Sequence, residues 1–134
     1  AVHAGWRGTA AGIVARTVRT MQERWGCLPA DILAGIGPSI GPCCFEVGEE
    51  VALVFRALHP GNPEVVLLRA GKIEVDLWAS NRLQLLAAGL QPGHIEVAGC
   101  CSMCHPDAFF SYRRQGQAAG RFGAGIVLLP DVEP

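Results

Sequence analysis

Apolar residues recur at three- and four-residue steps in two stretches of the chain, the pattern of helices that bury one face. Val14, Val18, Met21 and Trp25 form the first stripe, with Thr9 placed to cap its start and Gly26 its end. Val51, Val54, Phe55 and Leu58 form the second, within residues 48–59, stopped by Pro60-Gly61. A third helix is expected to run from the cap Asp76 to Gly89. Elsewhere the period shortens. Residues 65–68 and 73–75 flank Arg69-Ala70-Gly71-Lys72 and predict a hairpin, while 1–5, 32–36, 45–47, 95–98 and 126–129 read as short strands or extended pieces. Three helices interleaved with short strands predict an α+β layered sandwich, a mixed β-sheet flanked by helices.

Two segments fit neither period. Gly37-Pro38-Ser39-Ile40-Gly41-Pro42 carries two Gly-Pro pairs, which forbid regular structure and make a rigid loop. Residues 99–123 are aperiodic yet dense in Cys, aromatic, Arg and Gly residues, and long loops of this kind in compact domains are usually functional.

Composition narrows the field. The 134 residues suit a single domain, and 50% hydrophobic with 17% charged residues is a composition that buries a core rather than staying disordered. A net charge of -1 argues against a nonspecific nucleic-acid partner. No apolar run approaches the roughly 18–20 residues that cross a bilayer, and the basic-then-apolar opening of a secretory leader is missing, so the expectation is no membrane partner and a cytoplasmic location. The opening Ala1-Val2-His3-Ala4-Gly5 lacks an initiator Met and reads as the end of a buried strand. On that basis residues 1–134 are expected to be the C-terminal portion of a longer domain that lacks its N-terminal part. A truncated sheet would favour association into a homo-oligomer through its open edge.

Three constellations carry candidate chemistry. In His3-Ala4-Gly5-Trp6-Arg7-Gly8-Thr9 an imidazole at a strand end precedes a glycine turn and a helix start. Helix N–H groups attract anions, Arg7 can clamp two oxygens, and a neutral His3 can hold a metal or pass a proton. A tight turn with a solvated Arg and a hydrogen-bonded His explains the same residues. Cys101-Ser102-Met103-Cys104 has the spacing of a zinc half-site or a redox pair. A structural zinc needs two more ligands, which Cys43, Cys44 or His105 could supply only if the fold joins the loops; otherwise the thiols simply pack. In the third, 107–114 with Gly120-Arg121, aromatics alternate with Arg113 and Arg114 and could stack a ring beside a phosphate. The same residues could anchor the loop, with the arginines paired to Asp107. His59 and His94 lie beside turns and are expected to face solvent.

Taken together, 3–9, 36–48, Asp76-Leu77 with Asn81, and 101–114 with Gly120-Arg121 closely resemble the YfiH family, also called the laccase-domain or multicopper polyphenol oxidase family. The resemblance spans nearly the whole chain in order and spacing. It implies a fold related to cysteine hydrolases and a cytoplasmic zinc enzyme that splits purine nucleosides (adenosine, inosine, guanosine, methylthioadenosine) with phosphate into free base and ribose 1-phosphate, with an adenosine deaminase side activity. It also implies His3 as one of the zinc ligands; the others, an upstream His and a Thr-Ala-Asp-Cys stretch, have no counterpart in these residues. Gln115 and Ala119 replace an acidic residue and a Thr of the family pattern. The expected site is then His3 as zinc ligand and catalytic residue with Arg7, and Gly37, Ser39, Cys43 and Arg113 as substrate-pocket walls. Two rival functions remain: a copper-dependent polyphenol oxidase, disfavoured because a multicopper site wants many imidazoles and only four His are present, and a noncatalytic fragment or Cys-zinc interaction module.

Overall fold

The helix expected from Thr9 to Gly26 is two helices. Gly12 adopts a φ of 71°, in the left-handed region that glycine enters without strain, and divides the stretch into α1 (Trp6–Ala10) and α2 (Ile13–Trp25). Thr9 is therefore no cap but a fully buried residue within α1, whose cap position is held by Gly5. Gly26 ends α2 as expected, with a φ of 66°. The other elements are β1 (Ala34–Ile36), α3 (Glu49–Leu58), β2 (Val66–Arg69), β3 (Lys72–Val75), α4 (Leu77–Ala87), β4 (Ile95–Val97) and α5 (Tyr112–Gln115), in a computed structural model that describes residues 1–127.

The architecture is the expected α+β arrangement of small sheets flanked by helices. Parallel and antiparallel pairing both occur, in separate ladders. Strands β1 and β4 pair in parallel with Ile36 opposite Val97, whereas β2 and β3 form the hairpin with Val66 opposite Val75. Ala70 and Gly71 turn the hairpin at φ 47° and 76°, the two left-handed positions that a tight hairpin turn requires. The extended piece at 45–47 joins β3 through one bridge, with Val47 N–H donating to Ile73 O at 2.9 Å and Val75 N–H to Phe45 O at 3.1 Å. Residues 1–5 form no strand. The strand expected at 126–129 is absent at 126–127, and 128–129 lie outside the described residues.

Two apolar clusters hold these elements. Phe45, Val51, Phe55, Val65, Val75 and Leu77 tie α3 to the hairpin and to the start of α4. Val18, Leu85, Leu90 and Ile95 tie α2 and α4 to β4, with Ala34 and Ile36 of β1 packed against them. The predicted stripes are only partly right. Trp25 at the end of α2 is 69% exposed, and on α3 the inward positions are Val51, Ala52 and Phe55, leaving Val54 and Leu58 outside. Asp76 caps α4 as expected, accepting from Ala79 N–H at 2.9 Å. Among the described residues no helix is long and apolar enough to cross a membrane.

His59 does not face solvent. It ends α3 against α4, buried, with Nε2 and the buried Ser80 Oγ 2.8 Å apart. Burial lowers its pKa from the usual 6.5, outweighing the nearby Glu64 carboxylate, which pulls the other way. The unfolded chain therefore binds the extra proton first as the pH falls. Stability is complete above about pH 6.5 and declines below it. Urea-unfolding midpoints are expected to drop between about pH 7 and pH 5 and to do so less steeply in His59→Gln, which keeps a hydrogen-bonding group but no titration in this range; equal slopes would refute the assignment.

Candidate functional site: a four-thiol junction and the His3 segment

Parallel strands run off the same end of their ladder, so the segments leaving β1 and β4 meet. Ala98 N–H donates to Ile36 O at 2.9 Å, Ser39 N–H to Cys100 O at 3.2 Å and Ser102 N–H to Ser39 O at 3.0 Å. These bonds extend the ladder by a bridge between Ser39 and Cys101. The Gly-Pro loop after β1 then turns at 41–44, with the N–H groups of Cys44 and Phe45 both donating to Gly41 O at 3.0 Å. After β4, Cys104 and His105 close a turn by donating to Cys101 O at 3.1 and 3.2 Å.

The two turns bring four sulfurs together. The Sγ atoms of Cys43, Cys44, Cys101 and Cys104 all lie within 4.8 Å of one another, with Cys44 to Cys104 at 3.4 Å and Cys43 to Cys104 at 3.6 Å. All are free thiols, as are Cys27 and Cys100 outside the group. Cys101 is buried and receives the Gly41 N–H at 3.2 Å. Gly41 has no room for a side chain: a Cβ there would stand 2.7 Å from Trp78 Cη2 and 3.2 Å from Cys101 Cβ. Trp78 donates its indole N–H to Ser39 Oγ at 2.6 Å, which ties α4 to the loop.

The four thiols are not equivalent. Burial by itself would raise Cys101, but the backbone N–H groups of Gly41, Cys104 and Met103 favour its thiolate more strongly and set it at about 6. Desolvation, then hydrogen bonding to Cys104, pushes Cys43 up to about 11, and the same causes raise Cys44 further. The Cys101 thiolate is favoured, and Cys43 and Cys44 keep their protons until a cation offsets their charge. His105, the other candidate ligand, is not in the group; its Nδ1 lies 2.9 Å from Cys101 O.

Arg113 and Arg114 take roles other than carboxylate pairing. Arg114 donates to Ser102 O and Met103 O from Nη1 at 3.1 and 2.9 Å, and to Phe109 O from Nη2 at 2.7 Å. Arg113 donates to Glu46 O at 2.9 Å and lies over the Phe45 ring at 5.3 Å. The loop 37–45 thus collects Gly37, Ser39 and Cys43, and Arg113 reaches it through Phe45 and Glu46. Of the two adjacent aromatics, Phe110 is exposed, while Phe109 is half-buried with its ring 5.3 Å from that of Phe122.

His3 and Arg7 are both exposed, at the start of α1. A five-residue helix sums few peptide dipoles, so the charge available to an anion there is chiefly that of Arg7, whose guanidinium sits 4.6 Å over the Trp6 ring. The helix itself is firmly placed. Thr9 Oγ1 donates to Ala4 O at 3.1 Å, Asn81 Nδ2 donates to Thr9 Oγ1 at 3.2 Å and to Leu77 O at 2.8 Å, and Gln84 Nε2 donates to Thr9 O at 2.9 Å. Trp6 and Ala10 of α1 pack on the same apolar cluster as Ile40 of the Gly-Pro loop, so both segments lean on one support. His3 brings a single imidazole. Among the described residues only the four cysteines gather three or more metal-binding side chains, so the residues around His3 do not make a zinc site by themselves. A groove of about 370 Å³ between α1 and α2, lined by Ile13, Arg16, Thr17, Met21 and Trp25, contains none of the expected site residues.

Residues 1–129 match the family described as multi-copper polyphenol oxidoreductase laccase, and the chain belongs to that family. A purine nucleoside phosphorylase of Bacteroides thetaiotaomicron is 44% identical over 130 residues, covering 96% of this chain and 48% of that protein. An adenosine deaminase from an unknown prokaryotic organism is 42% identical over 126 residues, covering 92% of this chain and 48% of its own length. The crystal structure of the hypothetical protein YfiH of Bacillus licheniformis superposes with a TM-score of 0.76 at 39% identity, over 84% of this chain and 43% of that one. The chain spans about half the length of the curated relatives it matches. The YfiH resemblance carried by the motifs is thereby borne out.

Proposed function

We propose that this chain contributes one part of the active site of a zinc-dependent purine nucleoside phosphorylase working in the cytoplasm. The observation that carries the reading is 44% identity over 96% of the chain to a protein of that name; the exposed His3, and the exposed Arg7 on the firmly seated α1, agree with it. In phosphorolysis a phosphate oxygen bonds to the ribose C1′ as the C1′–N9 bond breaks, and the base leaves with a proton. The reaction needs an anion held against a sugar that develops positive charge. Arg7 presents a forked guanidinium suited to two phosphate oxygens, for which it would exchange its contact with the neutral Trp6 ring. His3 is the chain's candidate zinc ligand, with the remaining ligands drawn from outside the described residues or from a second copy in a homo-oligomer. Gly37, Ser39 and Arg113 wall the nucleoside pocket, with Cys43 at the loop's far end. Adenosine, inosine, guanosine and methylthioadenosine are the substrates on this reading.

Adenosine deamination is a second reading, favoured by the relative of that name. Both are tested by one assay on the zinc-supplied protein: release of free base from adenosine and inosine with and without phosphate, beside inosine formed from adenosine. Phosphate-dependent base release is expected, with kcat/KM reduced at least about 100-fold in His3→Ala, and with the phosphate KM raised about 10- to 100-fold in Arg7→Ala. Oxygen uptake with phenols and bound copper would replace this reading by the oxidase one; zinc without any turnover would support a noncatalytic Cys-zinc module.

A further inference from the structure

We propose that Cys43, Cys44, Cys101 and Cys104 form a tetrathiolate zinc site, separate from the His3 segment, that clasps the loop leaving β1 to the loop leaving β4. The inference stands on the sulfurs alone and does not depend on phosphorolysis.

The dimensions suit the ion. A tetrahedral zinc with Zn–S bonds of about 2.3 Å sets its sulfurs about 3.8 Å apart. The four Sγ atoms lie within 4.8 Å of one another, with the two shortest pairs at 3.4 and 3.6 Å, so small side-chain rotations close the tetrahedron. Two tight turns supply the ligands in pairs, one over 41–44 and one over 101–104, and each is closed by its own backbone bonds before any metal arrives. The Gly41 N–H aimed at Cys101 Sγ stabilises a thiolate ligand from outside the coordination sphere.

Other uses of the thiols account for less of this geometry. Both shortest contacts involve Cys104, so a disulfide there would join one partner and strand the other, and adjacent cysteines such as Cys43 and Cys44 rarely bridge each other. Inert packing does not describe them either, because Cys43 and Cys104 are exposed. Four sulfurs in a tetrahedron suit zinc or iron. Zinc has no redox chemistry, and that favours it at a site with two edges open to solvent. The consequence is structural: the clasp fixes Cys44, whose neighbour Phe45 enters the core and carries Arg113, and so orders the loop that holds Gly37 and Ser39.

The 134-residue chain, purified under reducing conditions without chelator, is to be assayed for zinc, iron and copper by plasma mass spectrometry as wild type, His3→Ala, Cys104→Ser, the Cys101→Ser/Cys104→Ser double variant, and Cys27→Ser as a cysteine control. At least about one zinc per chain is expected in wild type, His3→Ala and Cys27→Ser, and about one fewer than wild type in either Cys104 variant. Cobalt substitution of the wild-type chain needs no variant to fold and is expected to show the intense visible bands and sulfur-to-metal charge-transfer band of four-sulfur coordination. Zinc that follows His3 rather than Cys104, iron or copper in its place, or a cobalt spectrum without thiolate bands would each overturn the proposal.

Discussion

Replacing Phe55 by alanine is expected to remove about 3–5 kcal/mol of stability, the range for deleting a fully buried aromatic ring from a packed core. Phe55 has no exposed surface and sits on α3 between Phe45, Val51, Val65, Val75 and Leu77. Its neighbours come from a loop, a hairpin and two helices, which cannot all move inward to fill the space, so most of the cavity stays open. Urea denaturation is the measurement, with a fall in midpoint at unchanged slope as the expected result. A loss below about 1 kcal/mol would mean that the cluster collapses around the truncation and is less firmly packed than its burial indicates. The consequence reaches the site, because Phe45 is held by this cluster and comes directly after Cys44. Loosened packing there is expected to weaken metal binding at the sulfurs while leaving the Thr9–Asn81–Gln84 bonds that seat α1 intact.

Local rules of sequence carried much of the fold. Asp76, Gly26 and the Ala70-Gly71 turn act through neighbours within a few residues, and each does what its type and position predict. Errors arose where distant packing decided. Thr9 has the chemistry of a helix cap, yet its hydroxyl is claimed by Ala4 O and Asn81 across a buried interface with α4. His59 stands before a Pro-Gly turn, which suggests solvent, but α4 covers it and offers Ser80. Trp25 continues the three-and-four spacing of α2 past the point at which α4 and β4 still face it.

The candidate site shows the same division. That Cys101 and Cys104 suit one metal is legible in their spacing. That Cys43 and Cys44 complete the set depends on β1 and β4 pairing in parallel, a contact between segments about sixty residues apart that periodicity does not encode. A signal was present nonetheless: each cysteine doublet lies shortly after a short apolar strand, and parallel strands deliver their outgoing loops to one end of the sheet. For His3 and Arg7 the motif was plain and the family confirmed. His3 itself stands exposed and, among the described residues, joins no group of three metal-binding side chains, because the fold gathers the cysteines elsewhere.

Arg114→Met is expected to destabilise the chain by about 2–4 kcal/mol, on the scale of losing several hydrogen bonds made by a charged donor in a half-buried place. The Arg114 guanidinium spans the aperiodic loop from within, donating to the carbonyls of Ser102, Met103 and Phe109. Few groups can do this, since a planar fork with five N–H donors reaches three differently directed oxygens while a lysine ammonium meets them as a point. Arg114→Lys should therefore recover less than half of the loss. Ser102 and Met103 lie between Cys101 and Cys104, so the same guanidinium also shapes the turn that presents both sulfurs. Competition with a chromophoric chelator is expected to show zinc held about 10- to 100-fold less tightly in Arg114→Met, as for other groups that orient metal ligands from behind. A variant that lost stability but kept its zinc affinity would confine Arg114 to holding the loop near Phe109, and would place the rigidity of the Cys101 turn in its own backbone bonds to Cys104 and His105.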